Sequence, residues 1–198
     1  MEPATEAADE MATVRDRDRA RLSTRVAITV ALLASFLAVC KIKDDNIVQA
    51  MQQAQADKLD HWNFYQARNI RQEVAAAAAD QLKLAAAAAP PAQQERYRAT
   101  IASYETVIAE QAKKKEELRL QAEQDQRTYD ALNYRDDQFD LSDVLIALAI
   151  SLLALTALTH KSWLYLMALV PTVAGVVMGL AGLLGWHLHP DALSRILS

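Results

Sequence analysis

The sequence predicts an all-α membrane protein: three transmembrane helices, with an antiparallel coiled-coil-like helical hairpin between the first and second. Three observations predict it. Residues 26–40, 144–159 and 163–186 contain no Asp, Glu, Lys, Arg or His. A polar block, 44–140, separates the first of these runs from the other two, and it holds no glycine. Its only prolines are the adjacent Pro90 and Pro91. Alanine and leucine dominate the composition, and both are strong helix formers.

Residues 1–24 form a polar tail that ends in alternating Arg and Asp from Arg15 to Arg21, the pattern of a solvated segment. The first span is expected at 25–42. Its uncharged stretch is shorter than the roughly 20 residues a spanning helix prefers, so flanking charges must snorkel. Leu37-Ala38-Val39-Cys40 approaches a lipoprotein cleavage box, but Val39 stands where a small residue is wanted, so an uncleaved anchor is expected. The second span is expected at 141–159 and the third at 163–188. Only His160, Lys161 and Ser162 lie between them, which forces antiparallel neighbours. Trp163, Tyr165 and Trp186 stand where amphipathic rings favour the membrane interface. Residues 189–198 form a short C-terminal tail.

Five arginines and two aspartates fall within 11–25, whereas Lys41 and Lys43 after the span are offset by Asp44 and Asp45. The bias predicts a cytoplasmic N-terminus and a periplasmic central block, with Lys161 on the N-terminal side. Arg135 and Arg195 argue mildly the other way.

Pro90-Pro91 cannot continue a helix, so the 44–140 block is read as two helices, each about 65–70 Å long at 1.5 Å per residue. Both ends return to one membrane face, and the prolines mark the far turn of a stalk. In the second helix Tyr97, Ile101, Tyr104, Ile108, Gln111, Lys115, Leu118, Ala122, Asp125, Tyr129, Leu132, Asp136 and Phe139 keep strict 4-3 spacing, a heptad seam with polar interruptions. The first helix is assigned 3-4-4 spacing through Val48, Met51, Gln55, Leu59, Trp62, Gln66, Ile70, Val74 and Ala77. The five-alanine runs at 75–79 and 85–89 raise helix propensity and permit close approach.

Chemistry-bearing constellations are sparse. His187, His189 and Asp191 could suggest a metal, but positions two apart on a helix point away from each other, and solvated interface residues are the plainer reading. Asp143 lies close enough to the edge of its span to reach water or to cap the helix. His61 and Asp60 precede Trp62, Asn63, Phe64 and Tyr65, with no Ser or Cys nucleophile beside them, so core or subunit contact is expected there. The net charge of −4 gives no case for nucleic acid, and the single Cys40 excludes an intramolecular disulfide. No cofactor or metal is expected.

The spans carry small residues at helical spacing. These are Ala27, Ala31, Ala34 and Ala38 in the first, Ala147, Ser151 and Ala154 in the second, and Gly175, Gly179, Gly182 and Gly185 in the third. Such residues let helices pack closely in lipid, where little hydrophobic drive remains. They are read as helix-packing or assembly positions, and a homo-oligomer in the bilayer is expected.

Residues 41–50, Lys-Ile-Lys-Asp-Asp-Asn-Ile-Val-Gln-Ala, and 62–68, Trp-Asn-Phe-Tyr-Gln-Ala-Arg, resemble a family of bacterial membrane proteins classed as domain of unknown function 4337. The order of parts matches over about residues 20–188. The resemblance implies a bacterial inner-membrane location and no known activity. Asp44 or Asp45 is then expected to cap the stalk helix, since an Asp at a helix start satisfies free N–H groups. The expected function is a non-enzymatic scaffold or accessory protein whose stalk engages a protein partner. An oligomeric channel or transporter is the alternative, and an enzyme using the His61 region a more distant one.

Overall fold

The structure, a computed structural model, describes the backbone of residues 2–186 and Leu188, with side chains from Thr13 onward. The described residues form three α-helices and no strand: α1 (Glu2–Ala88), α2 (Pro91–Thr159) and α3 (Ser162–Leu184). All three are long and apolar enough over part of their length to cross a membrane. Nothing between Thr5 and Ala88 interrupts a helix, because that stretch has neither Gly nor Pro, and α1 runs through it unbroken. Asp44 and Asp45 therefore lie inside α1, and the expected caps are corrected: an interior residue has its N–H already bonded within the helix, leaving nothing to cap.

Pro90 makes the break. The Gln93 N–H bonds the Pro90 carbonyl at 2.9 Å, and Pro91 opens α2 at the position where a missing N–H costs least. At the other end of α2, His160 takes φ 55° and donates its N–H to the Thr156 carbonyl, which ends the helix. Extended Lys161 then leads directly into α3.

The chain divides into two units, Met1–Gln49 with Leu132–Ser198, and Ala50–Ala131. Residues 44–49 and 132–140 thus belong with the spans.

In the first unit the three helices share a core of Val26, Leu33, Ile146, Ala149, Leu153 and Ala168. The buried face of α1 is Leu22, Val26, Leu33, Cys40, Asp44 and Ile47, and that of α2 is Phe139, Ser142, Ile146, Ala149, Leu153 and Thr156. Both recur at helical spacing. On α3 the buried positions are Ala168, Pro171, Gly175, Met178, Gly179, Ala181 and Gly182. Exposed hydroxyls of the apolar segments bond back to their own helix: Ser35 to the Ala31 carbonyl, Ser151 to Ala147 and Thr159 to Leu155. In lipid such a bond is the nearest available partner.

In the second unit the 4-3 seam of α2 lies inward. Every seam position from Tyr97 to Tyr129 is buried or half-buried, with Gln111 and Ala122 fully so. The 3-4-4 assignment on α1 is corrected, because Gln55, Leu59, Gln66, Ile70, Val74 and Ala77 are all exposed. The inward face instead keeps strict 3-4 spacing through Met51, Ala54, Lys58, His61, Tyr65, Arg68, Gln72, Ala75, Ala79, Leu82 and Ala86, none of them exposed. The physical reason is register: a helix with a 3.5-residue seam stays in contact only with a partner of the same period.

Polar contacts join these faces. Lys58 donates to Gln126 at 2.5 Å, Arg68 to Gln111 at 3.1 Å and Lys115 to Asn69 at 2.9 Å. His61 Nδ1 lies 2.6 Å from Asp125, and Lys83 3.0 Å from Glu105.

Ala122 is 1% exposed, whereas Gln121 beside it faces out. Overpacking a closed site costs about 1–3 kcal/mol. Ala122→Leu should therefore lower the unfolding midpoint in denaturant, while Gln121→Leu leaves it within about 0.5 kcal/mol. Equal effects would place the seam wrongly.

Candidate functional site: the glycine seam and the carboxylate cluster

Gly175, Gly179 and Gly182 are where α3 meets the other two helices. A Cβ on Gly175 would stand 2.8 Å from Ile146 Cγ1 and 3.2 Å from the Ile146 backbone nitrogen. At Gly179 it would stand 2.8 Å from the Phe36 ring and from Ser142 Oγ, and at Gly182 2.9 Å from Phe139. The Ser142 hydroxyl donates to the Gly175 carbonyl at 2.9 Å, a bond buried between helices. The three glycines thus form a concavity that takes Phe36 of α1 and Ile146 and Phe139 of α2. Gly185 plays a different part. Its φ of 70° ends α3, and a Cβ there would meet nothing within 4 Å, so it is removed from the packing stripe.

The alanine stripe of α1 does not pack against α2 or α3 within the chain. Ala27, Ala31, Ala34 and Ala38 are all exposed, as are Ala147, Ser151 and Ala154 of α2. Close packing needs a small residue on only one of two facing helices; since α3 supplies the hollows, α1 and α2 turn their larger residues inward. Thr29 and Tyr165 add a hydroxyl contact of 3.2 Å between α1 and α3.

The C-terminal end of α3 is bound to α2. Arg135 donates to the Gly182 carbonyl through Nε at 3.2 Å and Nη2 at 2.8 Å. The Gln138 amide donates to the Trp186 and Leu188 carbonyls, each at 2.8 Å. Free carbonyls and the negative end of the helix dipole favour a cation here.

Beside this lies a cluster of carboxyl groups. Asp44 is 3% exposed, and its Oδ2 accepts from Lys41 Nζ at 2.6 Å. Its Oδ1 is buried without a donor. Lys41 also reaches Asp45 at 3.7 Å, on the exposed side of α1. From α2 come Asp136, Asp140 and Asp143, spaced four and three residues apart. Burial first, then a hydrogen bond with Asp44 and the nearby charges, raises Asp136 from 3.8 to about 6. Burial and the Asp44 charge push Asp140 up as well.

With this geometry in view, comparison with known families matches residues 22–185 to the one described as a domain of unknown function (DUF4337). The chain belongs to that family. No curated protein and no solved structure gave a match. The DUF4337 region covers all three spans and the whole of the second unit, so the glycine seam, the carboxylate cluster and the polar seam all lie within it.

Of the stalk-seam residues, Tyr97, Ile101, Tyr104, Ile108, Leu118 and Tyr129 line the second unit, and half-buried Trp62 stacks edge-on against Tyr65 at 5.3 Å. Leu132 and Phe139 belong to the unit of the spans, where Phe139 fills the Gly182 hollow. His61 is half-buried against Asp125, and Lys115 Nζ lies 5.7 Å from the Tyr65 ring centre. His187, His189 and Asp191 lie outside the described residues. Among those described, no group of His, Cys, Asp and Glu has the geometry of a metal site. Sequence reasoning missed Arg135, Gln138 and Ser142 as helix ties and Asp136 with Asp140 as partners of Asp44. The 136-140-143 recurrence was the available signal.

The seam predicts how the spans fail. Gly179→Leu should yield aggregated or poorly expressed protein, because Phe36 and Ser142 leave no room, whereas Gly185→Leu should express as an intact fold at a cost of about 1 kcal/mol. Size-exclusion profiles and thermal midpoints in detergent check this; a folded Gly179→Leu variant at wild-type yield contradicts it.

Proposed function

We propose that this chain is a non-enzymatic, homo-oligomeric scaffold of the bacterial inner membrane, with residues 44–140 forming an antiparallel coiled-coil-like stalk on the periplasmic side. One observation carries the reading. The second unit turns polar residues inward and leaves large apolar ones outside: Leu59 is 59% exposed, Ile70 63%, Val74 65% and Leu84 76%. On α1 these four fall within one broad face, outside the inward register that runs from Met51 to Ala86. Large apolar residues gathered on one exposed side of a helix mark an interaction surface.

The occupant we assign to it is a second copy of the chain. The first span supports this choice. Only 17% of its most apolar window is buried within the chain, against 33% for α2 and 39% for α3. Its exposed Ala27, Ala31, Ala34 and Ala38 would allow close approach of an identical helix within the bilayer. Both features lie on α1, so one helix would carry the self-association in both environments. The crossing order of the contacts, Lys58 with Gln126 and Lys83 with Glu105, supports the antiparallel reading of the stalk. The arginines before the first span support a cytoplasmic N-terminus.

Native mass spectrometry of the detergent-extracted protein tests assembly. The wild type should appear as an oligomer, and Ile70→Lys with Val74→Lys should shift it to monomer at unchanged helicity. A monomeric wild type, or a double variant that keeps its oligomeric mass, overturns the proposal.

Topology is tested separately. Gln93→Cys, near the Pro90 turn, should react in intact cells with a thiol reagent confined to the periplasm. Labelling that requires lysis reverses the orientation.

A further inference from the structure

We propose that Asp44 and Asp136 form a proton-binding pair, in which one proton held on Asp136 is donated to the otherwise unpartnered Oδ1 of Asp44. The argument starts from hydrogen-bond accounting. Asp44 is almost wholly buried, and a buried acceptor left without a donor is costly. Lys41 satisfies Oδ2 at 2.6 Å, but nothing donates to Oδ1. The side chain that hydrogen-bonds to Asp44 from α2 is itself a carboxyl, Asp136. Two carboxylates have no hydrogen to share, so the contact becomes a bond only when one of them is protonated.

The surroundings favour taking up that proton. Around the pair, α1 presents Lys41 and Asp45, and α2 presents Asp137, Asp140 and Asp143. Arg135, the residue before Asp136 in sequence, is bound to the Gly182 carbonyl. On α3 the sole titratable side chain is Tyr165, which contacts Thr29 instead. Carboxylates thus outnumber the one lysine. Protonating Asp136 relieves repulsion, fills the Oδ1 vacancy and joins α1 to α2 just outside the spans. Its proton affinity is raised from 3.8 to about 6, roughly a hundredfold.

The sign of the effect follows. A carboxyl whose affinity is raised in the fold stabilises the protein in its protonated form; that contribution is complete below the unfolded value of 3.8 and is lost as pH rises through about 6. The full-length protein in detergent should therefore show a thermal midpoint that falls between pH 5 and pH 8. Infrared spectra should show a protonated-carboxyl C=O band at pH 5 that disappears by pH 8. Asp136→Asn should remove this band and flatten the dependence. Asp140→Asn should keep the band. The proposal is overturned if the wild type shows no such band at pH 5, a result that requires no variant to fold. It is equally overturned if the band survives Asp136→Asn, or if Asp140→Asn abolishes it instead.

Discussion

Large-into-small packing at Gly175, Gly179 and Gly182 is the interaction on which the spanning part of the molecule depends. In lipid the apolar surface of a helix gains little by meeting another helix rather than an acyl chain, so contact distance decides the association. The three glycines lower the wall of α3 enough for Phe36, Ile146 and Phe139 to enter. That approach brings Ser142 within reach of the Gly175 carbonyl and sets Arg135 and Gln138 beside the end of α3. Glycine in a helix interior costs about 1 kcal/mol relative to alanine, and here the bonds made possible by close approach offset that cost.

The second unit follows the opposite logic. Its inward faces pair Lys58 with Gln126, His61 with Asp125 and Arg68 with Gln111, whereas leucine, isoleucine and valine face outward on α1. A seam of this composition contributes less burial energy than a leucine seam, but it favours a single register, because each polar group has one partner at the right height. The alanines at 75, 79 and 122 are buried on the same inward faces. The apolar side that remains outside is what directs our functional proposal toward self-association.

The carboxylate cluster joins these themes through helix continuity. Because α1 does not break at Asp44, the residue is carried on the inner face of an uninterrupted helix and buried against α2. A helix starting at Asp44 would have used its carboxylate to satisfy its own backbone; an interior position leaves the side chain to find partners elsewhere. Lys41, one turn earlier, meets Oδ2, and Asp136 hydrogen-bonds to the same carboxyl group.

Helix class, the three apolar segments, the Pro90-Pro91 break and the 4-3 seam of α2 were legible in the residues, since each rests on local propensity or on one helix's own periodicity. The face that α1 turns to α2 was not. Its apolar residues trace a 3-4-4 line through Leu59, Ile70 and Val74, and hydrophobic pattern alone places that line inside. Only the facing helix, with its fixed 3.5-residue period and its polar side chains at matching heights, shows that Lys58, His61 and Arg68 belong there. The same holds for the small residues of the spans: glycine and alanine stripes look alike in sequence, yet α3's glycines are enclosed and α1's alanines exposed. Sequence determined which segments are helices and which are apolar enough to cross a membrane, because those depend on each segment alone. Tertiary structure decided which face meets which, because a contact is a property of two surfaces and neither specifies it by itself.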